Sequence, residues 1–497
     1  MKILNKIFHL NEKQASLKNE IIGGLVTFVA MCYILPINAN ILSNMGMNRA
    51  GVFAITAIVS FIVTFIMGTV ANYPITLSAG MGLNAYIAYT LPGDMFSWHQ
   101  KMILLTVGGL LFFVFSLTPI RKIIIESIPK DLRCMISMAL GGFITFVGLK
   151  GSGLIVSSPS TFVTFGSFSD PAMLIAFVSV ILCMGLTFSE RKWISSMAIP
   201  ISIVFAAIAG VITSSLMIHF NSLVHVDNVG WVYSFANYDL IDNVVVSNLP
   251  IVPWKDGAMF GVQGIQDVFL YGVFTSNSGD PYSLAELGKD IGYIFTKPIT
   301  YIAIFSLMFV NLFDTTATLI AIGEKTGLID ENGKMQNYNK AVIADATGAL
   351  ICAPLGTSTV TSFAESNVAV SLGAKTGLSA VITSLLFLLS AFIYPVFSVF
   401  TSGSVTAAAL VSVGTIIVVN AVISVNKEDL IACFTCFIGI IFSILTYSIS
   451  NGIGVGLIAY IVMMLFARRT KEIKIPVVVI AILFLVSYVL TTITSLL

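Results

Sequence analysis

Three carboxylates lie within or beside long apolar runs of this sequence: Asp314 in FVNLFDTTATLIAIG, Asp345 in KAVIADATGALICAPLG and Glu365 in GTSTVTSFAESNVAV. A charge at the centre of a bilayer costs at least about 2.5 to 3.5 kcal/mol on insertion scales, so each acid needs a partner, a proton or a function. A carboxyl group can take up a proton, and its ionised form can accept a hydrogen bond from a ligand N–H group. These acids therefore indicate ligand or proton binding inside a membrane.

The surroundings of Asp314 are polar. Asn311 precedes it by three residues, and a helix places both on one face with Thr315 and Thr318. A face with this composition must point away from lipid. We predict that Asp314 binds substrate or the coupled proton, with structural support as the alternative.

Two short, polar segments stand out from the ordinary spans: GTVANYPITLSAGMGLNAYIAY and GTSTVTSFAESNVAV. In each, a span ends at Gly-Thr, an extended stretch follows, and a short helix resumes around a polar residue, Asn84 or Glu365. Paired broken helices near the membrane midplane are typical of transporters built from repeats. We predict that Glu365 binds substrate and the coupled proton, whereas Asp345 supports the structure. Tyr86 and Phe363 are candidates for stacking on a planar ligand, with packing as the alternative.

The composition predicts that many membrane helices surround and position these residues. The chain has 497 residues, of which 57% are hydrophobic and 10% charged, and a mean hydropathy of +0.97. Repeated apolar runs of about 17 to 25 residues predict an all-α polytopic membrane protein. The net charge of +1 and the lack of a basic run argue against a nucleic-acid partner. Cysteine and histidine spacings fit no metal site, and no catalytic set appears, so we predict neither a cofactor nor an enzyme.

The apolar runs fall into two groups. The spans predicted in the first half are 20–40, 51–70, 75–91, 102–118, 133–149, 172–188 and 196–217. Those predicted in the second half are 298–322, 339–355, 359–371, 377–400, 404–423, 430–448, 452–467 and 475–496. An odd number of spans per repeat inverts the second repeat in the membrane, and the eighth segment is a surplus whose crossing after Asn451 stays open.

The basic residues orient the chain. Lys and Arg cluster after the fourth span, after the sixth and near 468–474, which predicts a cytoplasmic amino-terminal segment over residues 1–19. Residues 218–297 then form an acidic extracytoplasmic insertion, which we predict to be a folded cap. The repeats are 20–217 and 298–497.

Several long motifs resemble one family. The stretches ANYPITLSAGMGLNAYIAY, LFDTTATLIAIGEKTGLIDENGK and ADATGALICAPLGTSTVTSFAES are similar to the adenine, guanine and hypoxanthine permeases of the azaguanine-resistance (AzgA-like) type. These permeases are a branch of the nucleobase-ascorbate transporter (nucleobase:cation symporter-2) superfamily. The resemblance covers most of the chain and leaves residues 218–297 unmatched.

The resemblance implies about 14 transmembrane segments in two inverted repeats of seven. They would form a core domain (20–118 and 298–400) and a gate domain (133–217 and 404–497) that move against each other in the cell membrane. It implies purine uptake by proton symport, and subunit contacts through the gate domain suggest a homodimer. The family's substrate residues correspond to Asn84, Asn311, Asp314 and Glu365. At Asn311 the chain departs from the family pattern, which has an acid there.

A purine edge has N–H donors and ring acceptors, so its site needs a carboxylate, an amide and an apolar or aromatic face. Glu365, Asn84, Asn311 and a ring from Phe363 or Tyr86 supply that set. Three alternatives remain open: a uracil, xanthine or ascorbate permease of the same superfamily, an anion transporter of the same fold, and a membrane enzyme or channel.

Overall fold

A computed structural model describes the following residues: 2–91, 93, 95–118, 129–191, 194–195, 197–219, 223–226, 230–233, 268–269, 284–326, 336–394, 397, 400 and 402–496. Helices dominate, and the three short sheets each have two strands within this described part.

The elements alternate long helices with short breaks. Those of the first half are α1 (Lys2–Phe8), α2 (Leu17–Met31), α3 (Ile34–Ser43), α4 (Arg49–Ile66), β1 (Leu77–Ala79), α5 (Met81–Ala85), α6 (Trp98–Ser116), α7 (Lys130–Gly151), β2 (Ile155–Ser158), β3 (Phe162–Phe165), α8 (Pro171–Thr187) and α9 (Ala198–His219). Short π-helical turns follow α4 (Met67–Ala71) and α5 (Tyr86–Thr90).

The second half continues in the same way. Its elements are β4 (Leu223–Val226), β5 (Gly230–Tyr233), α10 (Leu284–Thr296), α11 (Pro298–Thr326), α12 (Tyr338–Leu355), β6 (Val360–Ser362), α13 (Asn367–Ser371), α14 (Gly377–Ser390), α15 (Gly403–Ser424), α16 (Leu430–Leu445), α17 (Ile449–Phe466) and α18 (Ile475–Leu496). A 3₁₀ turn, Ala364–Ser366, joins β6 to α13.

Many of these helices are long and apolar enough to cross a membrane. In the described part of the chain seven are, or eight if the bent pair of α10 and α11 is one span, and four more are shorter apolar helices. Between them lie the two broken segments. The predicted fold class, an all-α polytopic membrane protein with broken half-helix segments, is confirmed.

The two broken segments meet through their extended stretches. β1 pairs antiparallel with β6, with Leu77 opposite Ser362 and Ala79 opposite Val360. The pairing continues beyond the strands, because Gly80 N–H donates to the Thr359 carbonyl at 2.9 Å. Non-helical backbone survives at membrane depth only where protein satisfies its polar groups. Each break therefore supplies the hydrogen bonds that the other lacks.

Local chemistry ends the helices that lead into these breaks. α12 contains Pro354 near its end and finishes at Gly356, whose φ of 102° is left-handed. A Cβ atom on Gly356 would lie 2.3 Å from the Val268 carbonyl oxygen, so only glycine fits. In the first half, Asn72 takes the left-handed conformation at φ 57° and Pro74 follows it. Both positions end a helix with residues that tolerate this backbone.

The chain forms two compact units. One unit contains Met1–Phe143, Val262–Phe392 and Thr415–Leu497, and therefore includes both broken segments. The other contains Ile144–Gly261 and Ile393–Gly414. In this second unit, α8 packs through Met173 and Ala176 into an apolar cluster with Ala407 and Val411.

Part of the 218–297 insertion is described. It contains the β4–β5 hairpin, residues 268–269 and α10. The α10 segment Glu286–Thr296 turns through 87° into Pro298–Leu312. It is held to the beginning of α6, where Gln100 Nε2 donates to Asp290 Oδ1 at 3.1 Å. The rest of the predicted folded cap lies outside the described residues.

The amino-terminal segment packs on the beginning of α14. Phe8 and Leu10 are buried against Leu378, and Asn72 Nδ2 donates to the Phe8 carbonyl at 3.0 Å. Lys13 Nζ donates to the Asn72 carbonyl at 3.4 Å. Burial lowers the pKa of Lys13, opposed by its attraction to Glu20.

Candidate functional site

Glu365 lies in the 3₁₀ turn between β6 and α13, beside the crossing of the two broken segments. Its side chain is partly buried. The Tyr33 hydroxyl donates a hydrogen bond of 2.7 Å to Glu365 Oε1. Within the described part of the chain, no side chain is seen to donate to Oε2. The Tyr33 hydroxyl therefore fixes one carboxylate oxygen, and no described side chain donates to the other.

Tyr33 lies in a tightened turn of the first span, between α2 and α3. Pro36 has no N–H group, so it cannot donate to the Cys32 carbonyl as the fourth residue of a helix would. Instead Leu35 N–H donates to the Cys32 carbonyl at 3.3 Å, which tightens the turn. α2 accordingly ends at Met31, and α3 begins at Ile34. Sequence reasoning missed Tyr33, although Pro36 inside an apolar span was a usable signal.

Asn84 is fully buried in a network that ties the two breaks together. Its Nδ2 donates to Asn38 Oδ1 at 2.5 Å, and its Oδ1 accepts from the Ser358 hydroxyl. Asn38 Nδ2 in turn donates to the hydroxyls of Thr56 at 2.7 Å and Thr357 at 2.9 Å. Asn38 was also missed from the sequence.

This network limits what Asn84 can offer a ligand. An amide has two N–H donors and one acceptor oxygen. The bonds to Asn38 and Ser358 use the oxygen and one donor. In the part of the chain that the structure describes, the second N–H group of Asn84 has no acceptor, and the rest of the side chain fixes the position of the half-helix.

The polar face of α11 points toward protein, as predicted. Thr315 Oγ1 donates to Asp345 Oδ1 at 2.8 Å, and Thr318 Oγ1 contacts the Ser362 carbonyl of β6 at 3.3 Å. Asp345 is fully buried and joins α12 to α11 through this bond, which is the kind of contact that the structural interpretation expects. Asp314 lies within α11, and its side chain is outside the described residues.

Asn311 is the unusual member of this face. It is 1% exposed, and among the described residues neither its Oδ1 nor its Nδ2 has a hydrogen-bond partner. Leaving a buried polar group unsatisfied costs about 1 to 3 kcal/mol, so native proteins rarely do it without a reason. A ligand edge that both donates and accepts would satisfy this amide.

The two predicted aromatic residues lie on different elements. Phe363 is buried next to Glu365, and its N–H donates to the Thr76 carbonyl at 3.1 Å. Tyr86 begins the π-helical turn after α5 and lines a cavity of about 470 Å³. The structure therefore places Phe363 at the crossing and Tyr86 at the wall of a separate cavity.

Crossed half-helix segments with a membrane carboxylate define a class of protein, the polytopic transporters with paired broken helices. The chain belongs to the Permease family, whose model Xan_ur_permease matches residues 18–430, and so to the nucleobase-ascorbate transporter superfamily. Membership in this family indicates a transporter rather than an enzyme.

Curated relatives match nearly the whole chain. The Putative permease MJ0326 of Methanocaldococcus jannaschii is 33% identical over 98% of this chain and 99% of its own length. The Guanine/hypoxanthine permease PbuO of Bacillus subtilis is 32% identical over 97% and 99%. The Adenine permease AdeQ of Escherichia coli is 32% identical over 98% and 96%.

Solved structures share the fold at low identity. The transmembrane domain of the cyanobacterial bicarbonate transporter BicA matches with a TM-score of 0.54 at 14% identity, covering 88% of this chain and 97% of that domain. SLC26A9 matches with a TM-score of 0.53 at 12% identity, covering 94% and 69%. These likenesses establish the fold alone.

Proposed function

We propose that the protein imports the purine nucleobases hypoxanthine, guanine and adenine by proton symport. The observation that carries the proposal is the Glu365 carboxylate at the crossing of the two half-helix segments, with one oxygen held by Tyr33 and the other without a donor among the described side chains. The relatives support the substrate class, since PbuO is a guanine/hypoxanthine permease and AdeQ an adenine permease.

The site chemistry suits a neutral, planar base. Glu365 Oε2 accepts an N–H of the ring, and the Asn311 amide offers both a donor and an acceptor to the base edge. The remaining Asn84 N–H is a further donor, and Phe363 provides an apolar face next to Glu365. Tyr86 stacks on the base at an earlier stage of its passage. Binding gives the Asn311 amide the hydrogen-bond partners that it lacks among the described residues, and so offsets the free-energy cost of burying an unsatisfied amide.

Glu365 is the coupling acid in this proposal, with Asp314 as the second. An ionised Glu365 accepts from both Tyr33 and the base, whereas a protonated Glu365 has one O–H donor and less acceptor capacity. Proton and base therefore act on the same carboxyl group. A protonated Glu365 can donate its O–H to a ring acceptor of the base while Oε1 still accepts from Tyr33, so base and proton can be carried together, as symport requires.

Transport proceeds by alternating access. The core domain, residues 20–118 and 298–400, carries the substrate, and the gate domain, residues 133–217 and 404–497, opens to either side. The protein would reside in the cell membrane with its amino terminus in the cytoplasm and with the 218–297 insertion outside. A homodimer would form through the gate domain.

Uptake of radiolabelled hypoxanthine by a host that lacks purine transport tests the function. We expect accumulation against a gradient, competition by unlabelled guanine and adenine, and loss of accumulation when a protonophore collapses the proton gradient. Uracil, xanthine and ascorbate serve as competitors that separate the sister permeases. Accumulation that requires sodium and resists the protonophore would overturn the proton half of the proposal.

A further inference from the structure

The cavity of about 470 Å³ that Tyr86 lines is separate from the buried site, because Glu365 and Asn311 are not among its described lining residues. Tyr89, Tyr447 and Tyr488 also line it, together with the amide of Asn451. Its volume lies within the range of about 300 to 1,000 Å³ that small-molecule pockets occupy. None of its described lining residues is charged.

The cavity lies at one end of its unit, beyond the half-helix that carries Asn84. The π-helical turn Tyr86–Thr90, the connection between α16 and α17, and the beginning of α11 meet there. Asn44, which ends α3, donates from Nδ2 to the Tyr89 hydroxyl at 2.8 Å. With the amino terminus in the cytoplasm, α3 and the half-helix after β1 both run outward, so this end faces outside.

Tyr447 is held in this wall in an unfavourable backbone conformation. Its φ is +52°, in the left-handed region that glycine and asparagine adopt readily and that tyrosine adopts only at an energetic cost. The Thr90 hydroxyl donates to the Tyr447 carbonyl at 3.0 Å. The Tyr447 ring lies 5.7 Å from that of Tyr89 and 5.4 Å from that of Phe143, centroid to centroid. Tyr447 follows the C-cap of α16, a position where helices commonly end in the left-handed conformation, so glycine or asparagine suits the backbone there while the tyrosine ring lines the cavity.

We propose that this cavity, the outer tyrosine site, receives the planar base from outside before it reaches Glu365; the inference rests on the proposed purine transport. Tyrosine rings bind the faces of the base, and phenol hydroxyls with the Asn451 amide bind its edge. Because none of the described lining residues is an acid, the proposal has the base bind there without the coupled proton. Tyr86 lies two residues after Asn84 in the sequence. It therefore connects the cavity wall to the half-helix that carries Asn84, on the proposed route inward.

The test uses Tyr447→Gly, which removes the ring and suits the left-handed backbone. We expect the KM for external hypoxanthine to rise about three- to tenfold, as loss of one aromatic contact predicts, with thermal stability unchanged or raised. Arg468→Gly is the matched control, because Arg468 also has a positive φ, of 60°, and does not line the cavity. Its KM should equal that of the wild type.

Measuring the KM from each side of the membrane distinguishes the outer tyrosine site from the buried site. In right-side-out vesicles Tyr447→Gly should raise the KM, whereas in inside-out vesicles the KM for the base should stay near the wild-type value. An unchanged KM in both, or an equal rise in both, overturns the outer site while wild-type purine transport still stands. If the wild type itself transports no purine, the proposed function fails instead. Tyr447→Asn, which also tolerates the backbone, repeats the test should Tyr447→Gly not reach the membrane.

Discussion

At the scale of single residues, Glu365 is distinguished from Asp345 by its exposure and position. Asp345 is fully buried and accepts a hydrogen bond from Thr315, whereas Glu365 is partly buried in the turn beside the crossing and accepts one from Tyr33. We expect Glu365→Gln to leave the protein in the membrane and nearly abolish transport. Hydrogen bonds to ionised groups contribute about 1.5 to 3 kcal/mol, and the exchangeable proton is lost as well.

The control is Asp345→Asn, for which we expect a lower yield or stability with substrate binding retained. Initial uptake rates, binding by purified protein and membrane abundance distinguish the two variants. Normal transport by Glu365→Gln together with loss of binding in Asp345→Asn would reverse the roles assigned to the two acids.

The Tyr33 hydroxyl should matter only through Glu365. Tyr33→Phe removes the 2.7 Å hydrogen bond while keeping the ring, so we expect a decrease in affinity for hypoxanthine of about tenfold or more. In the double variant with Glu365→Gln, the added effect of Tyr33→Phe should be small, because the partner has already changed. Binding constants for the four forms give the coupling energy. Additive losses would show that Tyr33 acts elsewhere.

Asn311 offers a test of substrate preference. A carboxylate there would accept a charge-assisted bond about twice as strong as a neutral one, but would lose the N–H donor of the amide. The amide suits a base with a carbonyl, so we expect hypoxanthine or guanine to be preferred over adenine. Asn311→Asp should keep transport active, reorder the three bases and change the pH dependence, because a new titratable group joins the site.

Inhibition constants for the three bases at two pH values in both forms measure this effect. Identical profiles would mean that Asn311 does not contact the substrate, and complete loss of transport would mean that its N–H donor is essential.

At the scale of elements, the sequence predicted most helices to within a few residues. The span predicted at 339–355 is α12, Tyr338–Leu355, and the final span 475–496 is α18. Periodicity and Gly-Thr signals sufficed there because they are local. The span predicted at 377–400 fared less well, since α14 already ends at Ser390.

Contacts between distant segments could not be predicted in the same way. The two breaks were recognised as equivalent, but their strand register and the Asn38–Asn84 bond join residues far apart in the chain. Tyr33 and Asn38 were missed because a single tyrosine or asparagine in an apolar span has no periodic signal. Only the folded chain shows which polar groups share a hydrogen bond.

The beginning of α14 depends on a carboxylate from another helix. Glu20 in α2 is fully buried and accepts from the N–H groups of Lys375 at 2.7 Å, Thr376 at 3.0 Å and Ser379 at 3.1 Å. Glu20→Ala leaves these donors unsatisfied, so we expect a loss of stability of about 2 kcal/mol. Thermal unfolding in detergent measures it. Glu12→Ala, at an exposed acid of the amino-terminal segment before α2, should change little, and equal effects would argue against capping.

At the scale of the whole molecule, fold and substrate are separate questions. The chain shares its fold with the BicA domain at 14% identity and with SLC26A9 at 12%. BicA is a bicarbonate transporter and murine Slc26a9 an anion transporter. One fold can host several substrates, because specificity depends on the groups at the site. Here the group at the crossing is an acid.

Glu365 therefore predicts which substrates are excluded. Two like charges 4 Å apart repel by about 4 kcal/mol at an effective dielectric constant of 20, so an ionised Glu365 disfavours an anion in the same place. We expect excess sulfate or bicarbonate, compared with chloride at equal ionic strength, to leave hypoxanthine uptake unchanged, whereas unlabelled guanine competes. We would measure hypoxanthine uptake with each competitor in vesicles at pH values above and below neutrality. These conditions include one in which carbonic acid is mostly ionised to bicarbonate and one in which it is mostly neutral. Competitive inhibition by sulfate would place this protein with the anion carriers, whatever the names of its nearer relatives.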